Sequence, residues 1–267
     1  MEKKWFVALL MVVVMMCACW TGAVADEERK TFTSGDYQYA LLDDGTVEIA
    51  GYKGSADLLA IPAELDGKAV TSIGDCAFYL CSSLTSVSIP DSVEQIGTNP
   101  FAACFELKTI SVSPEHPYFA TIDGVLFRKA DKALISYPAS ISSSTYTIPQ
   151  GITSIGDSAF FYCDSLTSVS IPDSITAIGD SAFFWCSSLT SVSIPDSVTS
   201  IGDRAFYYCD SLTSVSIPDS VTSIGDYAFG DCSNLTLTVP RNSYAAEYAK
   251  TNNIPYTYPD ANDWLNN

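Results

Sequence analysis

Residues 155–177 read IGDSAFFYCDSLTSVSIPDSITA, residues 178–200 read IGDSAFFWCSSLTSVSIPDSVTS, and residues 201–223 read IGDRAFYYCDSLTSVSIPDSVTS. These blocks follow one another without a gap, so the sequence repeats with a period of 23 residues. A fixed period in the twenties is typical of a solenoid, in which each coil buries its apolar side against its neighbours. The sequence therefore predicts a stack of coils that presents an extended surface.

The repeat extends in both directions from this stretch. Each coil opens on an Ile-Gly pair, and a cysteine stands eight residues after the isoleucine. The six anchors are Ile73, Ile96, Ile155, Ile178, Ile201 and Ile224. The interval between Ile96 and Ile155 is longer than one period, yet Ile148 precedes Ile171 by 23 residues. We therefore expect an insertion at about residues 112–145 that leaves the register of the stack intact.

Residues 166–172 (LTSVSIP) have the alternation of a strand that enters a core. Leu166, Val169 and Ile171 fit the inward positions, while Ser168 and Ser170 alternate to the outside. Because the segment recurs in every coil, we expect each coil to contribute one short strand to a parallel sheet.

The rest of the coil turns back towards the core. The proline that ends the strand lacks a backbone donor and Asp173 can bond nearby backbone, so a turn follows. Gly179 permits a tight bend. Ala182, Phe183 and Cys186 then have the spacing of a single helical or tighter turn with its apolar side inward.

The first 25 residues have the pattern of a signal peptide. Lys3 and Lys4 precede an apolar run over residues 5–18, and residues 23–25 (AVA) match a small-x-small cleavage site. The run is shorter than the roughly 20 residues of a membrane-spanning helix. We expect a secreted or cell-surface protein whose mature chain begins at Asp26 and does not insert into a membrane; in the alternative, Cys19 carries a lipid anchor.

The charge balance excludes several partners. The chain has 13 Lys and Arg against 31 Asp and Glu, a formal net charge of −18. Nucleic acid is excluded as a partner because phosphate binding requires clustered basic residues, and anionic membrane surfaces are disfavoured for the same reason. We expect one solenoid domain over residues 26–258, with caps, and a tail over residues 259–267.

The cysteines of the mature chain follow the repeat. Six occupy the same position of each coil and a seventh is Cys76; the six are Cys81, Cys104, Cys163, Cys186, Cys209 and Cys232. Equivalent residues of stacked strands lie about 4.8 Å apart and point the same way, whereas the Cβ atoms of a disulfide lie about 3.8 Å apart. The spacing predicts a ladder of reduced, buried thiols. Zinc is not expected, because the thiols are a whole coil apart.

The string L-x-x-V-x-I-P-x-x-V-x-x-I-G-x-x-A-F-x-x-C resembles the BspA-like class of leucine-rich repeats, over nearly all of residues 33–258. Three further segments fit the resemblance: residues 36–54 as an N-terminal hairpin, residues 122–138 as an inserted hairpin and residues 239–256 as a helical cap. The residues support this independently, because Asp43, Asp44 and Gly45 are typical of a hairpin turn and Ser243 is a suitable helix N-cap.

The resemblance implies a β-rich leucine-rich repeat solenoid, secreted or at the cell surface, that holds macromolecules on its repeat array. The family motif carries no catalytic residue, and we expect neither an enzyme nor a cofactor. A Ser-His-Asp site would need His116, which we place on a surface loop of the insertion.

Two acidic columns recur with the repeat. The first contains Asp157, Asp180, Asp203 and Asp226; the second contains Asp173, Asp196 and Asp219. Stacked carboxylates repel one another unless a cation bridges them, so calcium is one interpretation. The other, which we favour, is that these residues serve turns in every coil.

Two surfaces are candidates for binding. The first choice is a set of aromatic side chains that flank inward positions and are expected to face outward: Phe161, Tyr162, Phe184, Trp185, Tyr207 and Tyr208. The second is the serine face, which is either a plain solvated sheet or a docking surface: Ser168, Ser170, Ser191, Ser193, Ser214 and Ser216.

The sequence therefore predicts a non-enzymatic module for adhesion or recognition, whose partner is an extracellular protein or glycan. The alternative is a self-assembling structural protein of the cell envelope, in which the aromatic side chains join copies of the chain.

Overall fold

The computed structural model describes residues 29–259, and the chain there forms a β-solenoid with one short helix. The predicted signal peptide, Cys19 and residues 260–267 of the predicted tail lie outside this range. The strands are β1 (Thr31–Ser34), β2 (Tyr37–Leu41), β3 (Val47–Tyr52), β4 (Leu58–Ala60), β5 (Glu64–Leu65), β6 (Lys68–Ile73), β7 (Ser86–Ser88), β8 (Gln95–Ile96), β9 (Thr109–Ser111), β10 (Phe119–Ile122), β11 (Val125–Arg128), β12 (Ala133–Ser136), β13 (Thr145–Thr147), β14 (Ser154–Ile155), β15 (Ser168–Ser170), β16 (Ala177–Ile178), β17 (Ser191–Ser193), β18 (Ser200–Ile201), β19 (Ser214–Ser216), β20 (Ser223–Ile224), β21 (Thr236–Thr238) and β22 (Tyr256–Thr257). The helix is α1 (Tyr244–Thr251).

Each coil of the C-terminal half contributes to two parallel ladders. The serine sheet has the order β13-β15-β17-β19-β21-β22 and contains the predicted Ser-Val-Ser strands, with Ser168 opposite Ser191 and Ser191 opposite Ser214. The second sheet, β10-β11-β12-β14-β16-β18-β20, pairs the isoleucines that open successive coils. The prediction of one strand per coil is therefore wrong. The second strand is two residues long, and alternation cannot reveal a strand so short.

The N-terminal part repeats this plan with smaller sheets. One sheet has the order β1-β2-β3-β6-β5, with β8 also on β6, and the other has the order β4-β7-β9. The predicted hairpin is confirmed as β2 and β3, because Leu42 N–H donates to the Thr46 carbonyl at 2.9 Å across the turn. Gly45 has φ of 84°, the left-handed conformation that such a turn requires of one residue.

The core of the stack is a column of phenylalanine rings. Neighbouring rings lie parallel, with centroids 4.8 Å apart between Phe160 and Phe183, 5.0 Å between Phe183 and Phe206, and 5.1 Å between Phe206 and Phe229. All four rings are buried, so each coil covers the ring of the coil before it. This mutual burial is the reason that the repeat needs a phenylalanine at the same place in every coil.

The repeated cysteines join successive coils through hydrogen bonds. The Cys186 Sγ donates to the Phe160 carbonyl at 3.0 Å, and the Cys209 Sγ donates to the Phe183 carbonyl at 3.2 Å. None of the seven cysteines within residues 29–259 forms a disulfide. The predicted thiol ladder is present with five of its six members buried, while Cys232, in the last coil, is half-buried.

The insertion is a two-sided hairpin that separates two apolar cores. Successive residues of β11 and β12 alternate between the cores, because side chains of a strand point to opposite faces. Leu126 and Ile135 pack in the N-terminal core, whereas Phe127 and Leu134 pack in the C-terminal core. The hairpin then continues the stack, since β12 pairs in parallel with β14.

The C-terminal end of the stack is covered by α1. Ser243 caps the helix as predicted, because its Oγ accepts a hydrogen bond from the Ala246 N–H at 3.1 Å. Ala245 and Ala249 are buried against the last coil. The cap thereby removes apolar surface from water at the open end of the solenoid.

Candidate binding surface

The prediction that six aromatic side chains face outward is wrong for three of them. Phe184 is fully buried, and Phe161 and Tyr162 each expose 8 % of their surface. The chain here makes two successive tight turns, with Ser181 (φ 52°) and Trp185 (φ 60°) in the left-handed region. This path also covers Phe161 and Phe184, the residues after the core rings of Phe160 and Phe183, and the covered rings form a separate apolar cluster with Tyr162.

The faces of the aromatic rings are covered by one another. Trp185 lies 5.1 Å from Tyr162 with 9° between the ring planes, and 4.4 Å from Tyr208 with 31°. Phe184 stacks on Phe161 in the same way at 5.2 Å. Trp185, Tyr207 and Tyr208 are half-buried, so this surface offers ring edges more than ring faces. A binding role for these side chains stays a prediction.

The carboxylates of the first acidic column hold neighbouring coils together. Asp157 Oδ1 accepts the Asp180 N–H at 2.8 Å, and Asp180 Oδ1 accepts the Asp203 N–H at 2.7 Å. The glycine beside each donor makes room for the carboxylate: a Cβ on Gly202 would lie 2.2 Å from Asp180 Oδ1. The Ile-Gly-Asp motif is therefore an inter-coil hydrogen-bonding device.

The second acidic column has no such role. Asp173, Asp196 and Asp219 are exposed, and none has a hydrogen-bond or ion-pair partner within the part of the chain that the structure describes. The favoured interpretation, that these residues serve turns in every coil, is therefore not confirmed for either column: the first bonds the backbone of the neighbouring coil, and the side chains of the second have no partner in the described chain.

The hydroxyl groups that recur in each coil also fall into two groups: some bond the neighbouring coil, and others have no partner in the described chain. Thr190 Oγ1 donates to the Thr167 carbonyl at 3.0 Å, and Thr199 Oγ1 donates to the Thr176 carbonyl at 3.2 Å. Ser197 Oγ also donates to the coil before it, at 2.6 Å to the Ile175 carbonyl. In contrast, no hydroxyl of the serine face has a hydrogen-bond partner among residues 29–259. All six are exposed except Ser168, which is half-buried.

Three of the unpartnered serines and the three aspartates of the second column border one groove. It has a volume of about 620 Å³ and runs across four successive coils of the C-terminal half. We name it the serine–aspartate groove, and its polar side chains are Ser170, Ser193, Ser216, Thr238, Asp173, Asp196 and Asp219. No lysine, arginine, histidine or aromatic residue of the described chain lines it.

His116 does not lie on the surface as expected. Its ring is fully buried, and Nδ1 accepts hydrogen bonds from the backbone N–H groups of Tyr118 and Phe119, both at 3.2 Å. Nε2 lies 3.2 Å from the Pro90 carbonyl and donates to it. Both ring nitrogens are thus used to fold the start of the insertion, so His116 has no nitrogen available as a catalytic base.

The coils, the parallel ladders and the two caps define a leucine-rich repeat protein. A model of the BspA type leucine rich repeat region matches residues 64–143 and 135–250, in six copies. The chain belongs to this family, as the resemblance of its repeat implies. No curated protein matches the chain.

Solved structures of leucine-rich repeat proteins are similar to this chain, and the first of those below shares its fold. A leucine-rich repeat protein from Eubacterium ventriosum has a TM-score of 0.59 and 20 % identity, over 79 % of this chain and 78 % of that one. A leucine rich cell surface protein from Faecalibacterium prausnitzii has a TM-score of 0.45 and 23 % identity, over 82 % and 97 %. A T. pallidum leucine rich repeat protein has a TM-score of 0.41 and 30 % identity, over 79 % and 81 %.

Sequence reasoning missed the groove although its residues were identified. Serines and aspartates recur at fixed places in each coil, which is the signal, but the period does not reveal which polar groups the fold uses internally.

Within residues 29–259 no helix has the length and hydrophobicity to cross a membrane.

Proposed function

We propose that this protein is a non-enzymatic recognition module that acts outside the cell and holds an extracellular protein or glycan in the serine–aspartate groove. One observation carries the proposal. The repeated polar groups of the groove have no side-chain hydrogen-bond partner within residues 29–259, while their counterparts elsewhere in the coil bond neighbouring coils. Hydrogen-bonding groups that the fold does not use are available to a ligand.

Location outside the cell is supported by the sequence. Residues 1–25 have the pattern of a signal peptide, and the family resemblance implies a secreted or surface protein. The absence of a catalytic role is supported by His116, the single histidine of the chain, whose ring is buried and hydrogen-bonded on both sides.

The test is a binding screen of residues 26–267 against extracellular-matrix proteins and a glycan array. The groove variant is S170A/S193A/S216A combined with D173N/D196N/D219N. The matched control combines S142A/S211A/S233A with D43N/E106Q/E115Q, at exposed positions outside the groove. We expect the groove variant to lose binding to any hit by about tenfold or more and the control to stay within about twofold. Equal binding by both variants would refute a site in the groove.

Self-assembly is tested on the same preparations. Light scattering over a range of concentrations measures the mass of the particle in solution. A mass that rises with concentration, and falls again when Trp185 and Tyr208 are replaced with serine, would favour the envelope protein over the recognition module.

A further inference from the structure

We propose that Cys232 and Cys209 form an oxidation site, at which a peroxide reacts with Cys232 and Cys209 then closes a disulfide with it. Neither cysteine lines the serine–aspartate groove, so the proposal is independent of the function proposed above. It follows from the exposure of the two thiols, the distance between their coils and their surroundings at the end of the thiol ladder.

Cys232 is the thiol of the C-terminal core that a small oxidant can reach. It lies in the last coil and is half-buried, whereas Cys163, Cys186 and Cys209 expose no surface. The far side of its coil is covered by α1 rather than by another coil. Oxidation of a thiol by peroxide requires access to the sulfur, so it should begin at Cys232.

Cys209 is near enough to act as the second thiol. The two coils are hydrogen-bonded next to the cysteines, because the Tyr208 N–H donates to the Gly230 carbonyl at 3.1 Å. Chains bonded in this way lie about 4.8 Å apart, and the Cα atoms of a disulfide are separated by about 4.4 to 6.8 Å. Its Cβ atoms are about 3.5 to 4.5 Å apart, so the bond requires a small closing movement, which is easiest in a terminal coil.

The two thiols also differ in the way that the reaction requires. The interaction with the Cys209 thiol lowers the pKa of Cys232, while burial and the carboxylates of Asp210 and Asp231 oppose this effect. Burial raises the pKa of Cys209, which therefore stays protonated. A thiolate attacks the peroxide, and a neighbouring thiol then resolves the product to a disulfide.

The reaction balances in two steps. The Cys232 thiolate attacks one oxygen of hydrogen peroxide and breaks the O–O bond; the leaving hydroxide takes up a proton to become water, and Cys232 becomes a sulfenic acid. The Cys209 sulfur then attacks the Cys232 sulfur, its proton passes to the departing hydroxyl group, and a second water leaves. The two thiols together lose two hydrogens, and one peroxide is reduced to two waters.

The fold tolerates the loss of these thiol protons. In the reduced protein the Cys232 Sγ donates to the Phe206 carbonyl at 3.0 Å, and the Cys209 Sγ donates to the Phe183 carbonyl at 3.2 Å. Each carbonyl also accepts a backbone N–H, from Cys209 and Cys186 respectively, so neither is left without a donor. The disulfide would join the last coil to the coil before it and restrict unfolding of this end of the stack.

The experiment compares two pairs of thiols within one molecule. Cys163 and Cys186 are the matched control, because they are also neighbours in the ladder but are both fully buried. Trypsin separates the pairs, since cleavage at Lys and Arg places the control pair in residues 133–204 and the proposed pair in residues 205–241. Neither peptide contains another cysteine.

Folded protein, residues 26–267, is treated with hydrogen peroxide, alkylated, digested and analysed by mass spectrometry. We expect the peptide of residues 205–241 to lose two hydrogens and to escape alkylation about tenfold faster than the peptide of residues 133–204. Dithiothreitol should reverse the change, and the product should remain a monomer on a non-reducing gel. Because both pairs are compared in the wild-type protein, the result does not depend on whether a variant folds.

Two variants assign the roles of the thiols. In Cys209→Ser, the sulfenic acid of Cys232 should persist and react with dimedone, because its partner is missing. In Cys232→Ser, Cys209 should stay reduced, because peroxide does not reach it. Melting curves establish that both variants are folded.

Each other outcome overturns the proposal. Equal oxidation of the two pairs would show that the position at the end of the ladder does not matter. A sulfenic or sulfinic acid that persists in the wild type would show that Cys209 does not reach Cys232, and disulfide-linked dimers would place the second thiol on another copy. Lack of any reaction at Cys232, or unchanged oxidation of Cys209 in Cys232→Ser, would refute the site as well.

Discussion

Phe183 and Phe184 are neighbours in sequence that pack in different apolar clusters. Phe183 lies in the phenylalanine column of the core, and Phe184 lies with Phe161 and Tyr162 on the other side of the turn. Neither exposes any surface. Burial at both positions means that the coil has two apolar interiors, separated by one turn of backbone.

Replacement of either phenylalanine is expected to destabilise the protein strongly. Phe183→Ala and Phe184→Ala should each lower the free energy of unfolding by about 3 to 5 kcal/mol, because each leaves a cavity. Tyr227→Ala, whose side chain is 61 % exposed, is the control and should cost under about 0.5 kcal/mol. Chemical denaturation measures all three. A cost for Phe184→Ala as small as that of the control would show that this side chain faces outward.

The negative charge of Asp180, in the first acidic column, is unfavourable to the folded state. Burial, and then the neighbouring carboxylates of Asp157 and Asp203, raise its pKa above the usual range, while the hydrogen bond from the Asp203 N–H acts the other way. The folded state therefore binds a proton at Asp180 more tightly than the unfolded state does. The stability linked to this proton is present at low pH and is lost as pH rises through the raised pKa.

Asp180→Asn should therefore stabilise the protein at pH 7, by less than about 1 kcal/mol because the site is partly exposed and screened. The amide keeps the oxygen that accepts the Asp203 N–H and removes the charge. At pH 3, below the unfolded pKa of about 3.9, the gain should vanish. Melting temperatures over this pH range provide the measurement, and a loss of stability at pH 7 would contradict the prediction.

Asp44→Asn is the control for this prediction, because it is expected to lower stability at pH 7 rather than to raise it. Hydrogen bonds from the Thr46 hydroxyl and N–H lower the pKa of Asp44, so its charge stabilises the fold above the unfolded pKa. That stability is lost as pH falls through the lowered pKa. The asparagine variant should accordingly melt below the wild type at pH 7, with the difference shrinking in acid.

The thiols of the ladder should differ in reactivity. Burial raises the pKa of Cys186 and Cys209, so few thiolates form there, whereas the interaction with the neighbouring Cys209 thiol lowers the pKa of the half-buried Cys232. Thiolate is the reactive form. In a native alkylation time course read by mass spectrometry, Cys232 and the half-buried Cys76 should label first. Labelling of all seven at one rate would contradict this ladder.

At the scale of elements, α1 matters because it closes the last coil. The helix is only eight residues long, so its stability depends on its cap and on the packing of Ala245 and Ala249. Ser243→Ala should cost about 1 kcal/mol through loss of the N-cap hydrogen bond. The exposed Ser233→Ala is the matched control and should be neutral. Equal melting temperatures for the two variants would mean that the cap is dispensable.

The elements could be predicted where their signals are long or chemically distinctive. The Ser-Val-Ser strands follow from alternation, the hairpin between β2 and β3 from its Asp-Gly turn, and α1 from Ser243. The two-residue strands could not be predicted because they are too short to show alternation. The burial of Phe184 could not be predicted because it depends on turns in which Ser181 and Trp185 adopt positive φ. Non-glycine residues seldom do so, and sequence gives no warning of it.

At the scale of the whole molecule, the period predicted the stack but not its division into two cores. The sequence predicts an inserted hairpin and places His116 on its surface, but it does not predict that this hairpin lies between two cores. In the structure the ring of His116 folds the start of the insertion, and β11 and β12 form the wall between the cores. A serine face follows from the repeat, whereas the groove depends on which of the repeated polar groups the fold leaves without partners.

Leu126 and Leu134 provide a matched pair for this division. Both are fully buried leucines of the same hairpin, but Leu126 packs in the N-terminal core and Leu134 in the C-terminal core. Each replacement by alanine removes the same atoms and should lower the free energy of unfolding by about 2 to 5 kcal/mol. Because coils contact only their neighbours, the damage should remain mostly on one side of the hairpin.

Hydrogen exchange measured by mass spectrometry distinguishes the two sides. We expect Leu126→Ala to accelerate exchange in residues 37–111 more than in residues 146–239, and Leu134→Ala to do the reverse, because each variant loosens the coils that face the lost side chain. A polar bridge crosses the same boundary, with the Asn99 Nδ2 donating to the Ser158 carbonyl at 2.6 Å, and couples the halves. If either variant instead accelerates exchange equally in both halves, the hairpin does not divide the stack and the solenoid unfolds as a single cooperative unit.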